Sequence, residues 1–314
     1  WDADRVRLNG IHFFAVENVT TEERMFRNGQ VHLTKECALN KIPFYRDEYP
    51  EWIQLGPQLV TYYYLLNTTR PEFSDPRVRK ALSLTVDREA IVNNITRAGE
   101  RPAHGYVPAP PEGSTGYQPP NMLRFDPEEA RRLLAEAGYP NGEGFPNFEI
   151  LINTHEAHKK IAEAIQEMWK RELNIEVGII NQSWQVYLDT VTNLNYDIGR
   201  RGWIGDYMDP ITFLIIMMGD DPNNSTGWKN EEYERLLKES GQIEDQEKRY
   251  AKLHEAEKVL LEDMPIIPIY WYVTKRLVHP DLKGFHPKLL DNHNYKFMSL
   301  DRDPGYERIK GKKY

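Results

Sequence analysis

The chain has 314 residues, 40% hydrophobic and 28% charged, with 40 Lys and Arg against 48 Asp and Glu, a net charge of −8. That composition excludes disordered, collagen-like and low-complexity classes. The acidic balance argues against nucleic acid or an anionic membrane as partner, since both demand a basic face. The length suits about two domains at roughly 150 residues each. The longest apolar runs, 211–218 and 266–273, fall short of the ~20 residues that cross a bilayer, so no direct membrane insertion is expected. A single cysteine, Cys37, excludes an internal disulfide and any multi-cysteine metal centre. Trp1-Asp-Ala-Asp-Arg-Val has no initiator methionine, basic n-region or apolar h-region, and reads as a processed or cut terminus.

In chain order, residues 11–16 read as a strand, 20–28 as a short helix and 30–34 as a strand after the Asn28-Gly29 turn. In 59–67, Val60, Tyr62 and Tyr64 alternate with Thr61 and Tyr63, the period of a strand. Asp75 before Pro76 is an N-cap with proline at the first helical position. Val78, Ala81, Leu82, Leu84 and Thr85 recur behind it at helical spacing, and Asp87 can cap a second helix over 88–96. Residues 102–121 are proline-rich and irregular. Asp126-Pro127-Glu128-Glu129 opens a helix with a cap and two acids facing the dipole, and Gly138 and Pro140 close it.

Strands at 148–153, 175–181 and 196–203 then alternate with helices at 157–173 and 184–192. This βαβαβ order predicts a parallel or mixed sheet with helices on its faces. Helices near 210–218, 230–240 and 245–263 precede an apolar strand at 266–273. The polar texture of 275–314 matches the first sixty residues, so both ends are expected to form one domain interrupted by a central one.

Enzyme signatures are weak. The phosphate loop, the Gly-x-Gly-x-x-Gly fingerprint and the nucleophile elbow are missing from the sequence. Cys37 reads as a plain half-buried thiol. His155 and His158 stand at i, i+3, whereas the zinc-protease pattern needs i, i+4 with the glutamate between. One stretch is chemically distinctive, Asp197-Ile-Gly-Arg-Arg-Gly-Trp-Ile-Gly-Asp-Tyr-Met-Asp-Pro210. An expected strand carries Arg200 and Arg201 and ends in Trp203, Gly205 and Asp206. Ligands of α/β sheets sit at strand carboxyl ends, where these residues offer an aromatic wall, an anion anchor and a cation anchor.

At this stretch the chain resembles the family 5 oligopeptide-binding proteins, the extracytoplasmic solute-binding components of peptide ABC importers. The resemblance is carried by Thr61-Tyr-Tyr-Tyr-Leu-Leu-Asn67, by Phe73-Ser-Asp-Pro-Arg-Val-Arg-Lys-Ala-Leu82 with Asp87-Arg88, by Gly202-Trp-Ile-Gly-Asp-Tyr-Met-Asp-Pro210 and by Pro265-Ile-Ile-Pro-Ile-Tyr-Trp-Tyr272. Glu129–Gly138 also fits, and the match extends from Trp1 to about Asp301.

The resemblance implies an α/β, class II periplasmic-binding-protein-like fold with one complete lobe at 61–275. Residues 1–60 and 276–314 would be the remnant of a first lobe, with a signal peptide upstream. The implied function is delivery of oligopeptides to the membrane permease subunits of an importer. The protein would be a periplasmic or extracytoplasmic monomer, without catalysis, cofactor or metal.

Carried over by residue, Asp206 receives the peptide's α-ammonium and Trp203 lines the cleft. Arg200 and His158 meet peptide C-termini, Asn153 lies near His158, and Tyr207 and Arg201 complete the contacts. Hinge positions fall at Thr61, Tyr62, Tyr272 and Val273, where two strands leave the central domain. A second arginine of some relatives falls at Val191, a loss of positive charge for which Arg201 or Arg97 is the available substitute. Alternative readings are a same-fold receptor for a cell-wall peptide, sugar or metal chelate, and a metal-assisted hydrolase using His155 and His158.

Overall fold

In the computed structural model, which describes residues 3–109 and 116–301, the chain divides into two units. The first comprises residues 1–58, 96–100 and 273–314; the second comprises 59–95 and 101–272. Residues 110–115 of the proline-rich stretch and 302–314 of the C-terminal segment lie outside the described residues.

The first unit opens with α1 (Val19–Arg27), capped by Asn18, whose side chain accepts from the Thr21 N–H, followed by α2 (Ile42–Glu48). The strands expected at 11–16 and 30–34 do not form. The first has no regular structure and leaves Phe13 and Phe14 exposed; the second makes only an isolated bridge, Leu33 to Val278. A strand-like sequence becomes a strand only where a neighbour supplies a run of backbone partners. Among the described residues, 11–16 pairs with no strand, and 30–34 meets residues 277–279 only around that bridge, where the Thr34 N–H donates to Leu277 and the His279 N–H to His32. Strand β1 (Ile53–Leu66) leaves this unit after Gln58.

The second unit takes up β1 and adds α3 (Pro71–Ser74), α4 (Pro76–Leu84) and α5 (Arg88–Ile91). The helix expected over 88–96 is α only to Ile91 and continues as a π-turn, Val92–Thr96. Strand β2 (Arg101–Pro102) and α6 (Pro127–Glu136) precede the alternating core: β3 (Phe148–Asn153), α7 (Glu156–Leu173), β4 (Val177–Gln182), α8 (Trp184–Thr192) and β5 (Ile198–Ile204). Helices α9 (Ile211–Leu214), α10 (Glu231–Ser240) and α11 (Gln246–Asp263) follow, and β6 (Ile266–Leu277) returns the chain to the first unit after Tyr272. The helix expected over 210–218 shortens to α9 and a 3-10 turn, Ile215–Met217. The caps fall where the sequence sets them: Asp75, Asp87, Asp126, Asn230 and Asp245 each accept a first-turn N–H.

The sheet is mixed, in the order β2-β6-β1-β5-β3-β4. β5, β3 and β4 are parallel, whereas β1 runs antiparallel to β5 with Tyr62 opposite Gly202 and Tyr64 opposite Arg200. One face, with Tyr62, Tyr64, Ile150, Ile198 and Ile269, packs on Val78, Leu82, Ile161, Ile165 and Trp169 of the helices. Buried arginines tie neighbouring elements together. Arg79 donates to the carbonyls of Phe73, Ser74 and Asp263, and Arg88 to those of Ser83, Val86 and Pro268.

Back in the first unit, β7 (Leu282–Lys283) pairs with β8 (Ser299–Leu300) over a small core of Val278, Phe285 and Met298. Lys275 and Glu100 form a buried ion pair at 2.9 Å. Cys37 is fully buried rather than half-buried, and desolvation pushes its thiol up to about 12.

Candidate ligand-binding site

The candidate site grows from one strand, β5. β1 pairs with it along its length, from Ile198 to Ile204, while β3 pairs only with Ile198 and Gly199. Past Gly199 the β3-side edge of β5 therefore has no strand partner among the described residues. The Tyr187 hydroxyl, from α8, donates to the Arg200 carbonyl at the start of that edge.

Strand alternation sends Arg200 and Arg201 to opposite faces. Arg200 lies over the Tyr62 ring, 4.6 Å from its centroid, and donates to the Tyr272 hydroxyl at 2.6 Å and to Asn153 Oδ1 at 3.4 Å. Tyr62 stacks on Tyr270 at 4.8 Å, and its hydroxyl stands 3.4 Å from His158 Nδ1. Burial works against the guanidinium charge, but the oxygens of Tyr272, Tyr62 and Tyr187 outweigh it and hold the pKa of Arg200 above its ordinary value. Arg200, Asn153 and His158 thus form one cationic, aromatic-backed cluster. Arg201 lies on the opposite face, beside Tyr63.

Val191 is fully buried under Gly199, and Arg97 belongs to the first unit at φ 58°. Within the second unit, Arg201 therefore does not join the Arg200 cluster to replace the charge that Val191 lacks.

At the other end of β5 the chain turns through Gly205, where a Cβ would stand 2.6 Å from Leu59 Cδ2 and 3.2 Å from Phe213. This packing requires glycine. Trp203 donates its indole N–H to the Thr212 carbonyl at 2.8 Å. The Thr212 hydroxyl accepts the Asp206 N–H at 3.0 Å and donates to Asp206 Oδ2 at 3.3 Å. Asp206 and Tyr207 are exposed. A carboxylate has about four lone-pair sites, and Thr212 uses one of them.

Three residues on, Asp209 is held by both Arg249 nitrogens, at 2.7 and 2.8 Å, and accepts the Ile211 N–H. Sequence reasoning missed Thr212, Phe213 and Arg249. Their signal lies only in the proximity of Thr212 to the Asp-Pro turn. Tyr62 and Tyr272, expected at a hinge, also meet Arg200. The chain changes unit at Gln58–Leu59 and Tyr272–Val273, and also on either side of 96–100, which puts Thr61 and Tyr62 inside the second unit and leaves Tyr272 and Val273 on either side of a crossing.

The His155 and His158 rings meet at a tilt of 35° with centroids 4.6 Å apart, and His155 Nδ1 caps α7 by accepting the Ala157 N–H. Among the described residues no group of three or more His, Cys, Asp or Glu is placed to hold a metal ion.

A mixed sheet flanked by helices, with charged residues at a strand's carboxyl end, defines a solute-binding α/β protein of the class II periplasmic-binding-protein fold. The family model for bacterial extracellular solute-binding proteins, family 5, middle region, matches residues 1–225, and the chain belongs to that family. It is 33% identical over 298 residues to the periplasmic oligopeptide-binding protein OppA of Salmonella typhimurium, covering 93% of this chain and 54% of that protein. Among solved structures it is similar to the murein tripeptide-binding protein MppA of Escherichia coli, with a TM-score of 0.89 and 32% identity. It is also similar to OppA of Haemophilus influenzae in complex with the peptide RPPGFSPFR, with a TM-score of 0.85 and 31% identity. Each of these two structures is matched over 96% of this chain and 60% of the other. These relatives are binding proteins. The chain spans about half the length of the curated relatives it matches.

Proposed function

We propose that the chain is the ligand-gripping part of a longer extracytoplasmic receptor that hands oligopeptides to the permease of an ABC importer, without catalysis. The observation that carries this reading is the open edge of β5, bounded by Arg200 at one end and Asp206 beyond the other. An extended peptide can add to such an edge through its backbone. With its α-ammonium on Asp206 and its carboxylate toward Arg200, the peptide runs antiparallel to β5. At ~3.3 Å per residue the two anchors are up to about 20 Å apart, the reach of several extended residues. Each charge-assisted contact contributes about 1.5–3 kcal/mol.

Trp203 supplies an apolar wall beside the ammonium, and Tyr207 an exposed aromatic next to it. His158 and Asn153 back Arg200, and Arg201 serves side chains on the other face. On this reading the second unit is the second lobe, the first unit is part of the first, and hinge motion centres on the crossings near Thr61, Tyr62, Tyr272 and Val273. The receptor works in the periplasm or an equivalent outer compartment, as a monomer.

The test is a thermal-shift screen of the full-length protein against oligopeptides with free termini, followed by mass spectrometry of the recovered ligand. A saturable rise in melting temperature with the peptide recovered uncleaved is expected. Shifts confined to a sugar or a metal chelate, or zinc-dependent cleavage lost in His158→Ala, would overturn the reading.

A further inference from the structure

We propose that Glu257, a residue of α11 outside the ligand contacts, positions the Asp206 loop for the peptide's α-ammonium; this rests on the reading of Asp206 above. Glu257 is fully buried. Its Oε1 accepts the backbone N–H groups of Tyr106 at 2.6 Å and Val107 at 2.9 Å, and its Oε2 accepts the Tyr117 hydroxyl. A Cβ at Gly105 would stand 2.8 Å from Oε1, so the loop backbone is pressed onto the carboxylate. The loop around Tyr106 has no helix or strand of its own, and a buried acceptor of three bonds fixes it.

From Tyr106 the path runs to the site. Its carbonyl accepts the Thr61 hydroxyl at 2.6 Å, and its ring meets Tyr63 edge-on at 5.2 Å and Phe213 at 5.8 Å. Phe213 lies in α9 between Thr212, which binds Asp206 and Trp203, and Leu214, whose carbonyl accepts the Tyr233 hydroxyl at 2.6 Å. The same helix α11 also holds the Asp206 loop directly, through Arg249 and Asp209. Asp206 is therefore set by a buried frame that begins at α11.

The experiment measures, by calorimetry on the full-length protein, the affinity ratio between a peptide with a free α-ammonium and its N-acetylated counterpart. Glu257→Leu leaves the Tyr106 and Val107 N–H groups without their acceptor and is expected to lower that ratio at least fivefold. Glu257→Gln keeps an acceptor for both and is expected to hold the ratio within twofold of wild type. If Glu257→Leu fails to fold, Tyr106→Leu cuts the same path one step later and is expected to lower the ratio likewise. A folded Glu257→Leu or Tyr106→Leu that weakens both peptides equally, or neither, overturns the proposal. A wild-type protein with no preference for the free ammonium overturns the reading of Asp206 itself, and the positioning role with it, before any variant is compared.

Discussion

Asp206 and Asp209 share one loop and one charge, but their surroundings give them different roles. Asp209 is committed to a bidentate pair with Arg249, while Asp206 stands exposed with one bond from Thr212. Only the second can accept a ligand cation without first breaking a strong contact. At the far end of β5, Arg200 is aimed by Tyr272, Tyr62 and Asn153. Replacing it with methionine is expected to weaken peptides with a free C-terminal carboxylate about tenfold and to spare their C-terminal amides, read by competition binding. Equal loss for both would remove Arg200 from carboxylate recognition.

Glu257 offers a separate check on burial. Desolvation raises its carboxyl to about 7, against the lowering effect of Tyr117, Val107 and Tyr106. The folded pKa exceeds the unfolded one, so its contribution to stability is fully present below about 4.5 and is lost as pH rises through 7. The melting temperature of wild type relative to Glu257→Gln is expected to fall across that window, by the equivalent of about 3 kcal/mol at most. A difference that stays flat with pH would contradict the burial argument.

Among the elements, β5 does what an internal strand does on its β1 side and what an edge strand does past Gly199 on the other. An added peptide then presents alternate N–H groups to β5. Methylating successive peptide nitrogens is expected to weaken binding in alternation, about tenfold at the paired positions, in a calorimetric scan; uniform losses would argue against strand addition.

The helices of the second unit were legible because caps and apolar spacing are local signals, as Asp75-Pro76 and Asp126-Pro127 illustrate. The expected strands at 11–16 and 30–34 failed because pairing depends on a neighbour that local pattern does not report. The antiparallel docking of β1 on β5, which brings Tyr62 beneath Arg200, is equally non-local. Asp87-Arg88 stood out as a motif, but its physical basis emerges only in the fold, where Arg88 ties α5 to the carbonyl of Pro268 in β6. Arg88→Met is expected to cost about 3 kcal/mol of stability, measured by denaturant unfolding, because it leaves buried carbonyls without donors. A change under 1 kcal/mol would show that the tie is dispensable.

At the scale of the whole molecule, a sheet-centred unit that carries the candidate ligand contacts is distinct from a unit built of both chain ends and the short segment 96–100. The acidic net charge of −8 bears on solubility and partner class; on the proposed reading, ligand choice rests with a few residues at the ends of one strand. Those residues came partly from a resemblance and partly from chemistry. Asp206, Trp203 and Arg200 were readable as an odd run of charges and an aromatic in a strand, while Thr212, which holds the first two, and Tyr106, packed on Phe213 behind it, carry no signal in sequence.

On the proposed reading, the contact between Asp206 and the peptide's α-ammonium is decisive. The direct measurement is a thermodynamic cycle by calorimetry on the full-length protein, crossing wild type and Asp206→Ala with a free and an N-acetylated peptide. Each single change is expected to cost at least tenfold in affinity, and the second to cost little once the first is made. Unchanged affinity of Asp206→Ala for the free peptide, or losses that simply multiply, would contradict it.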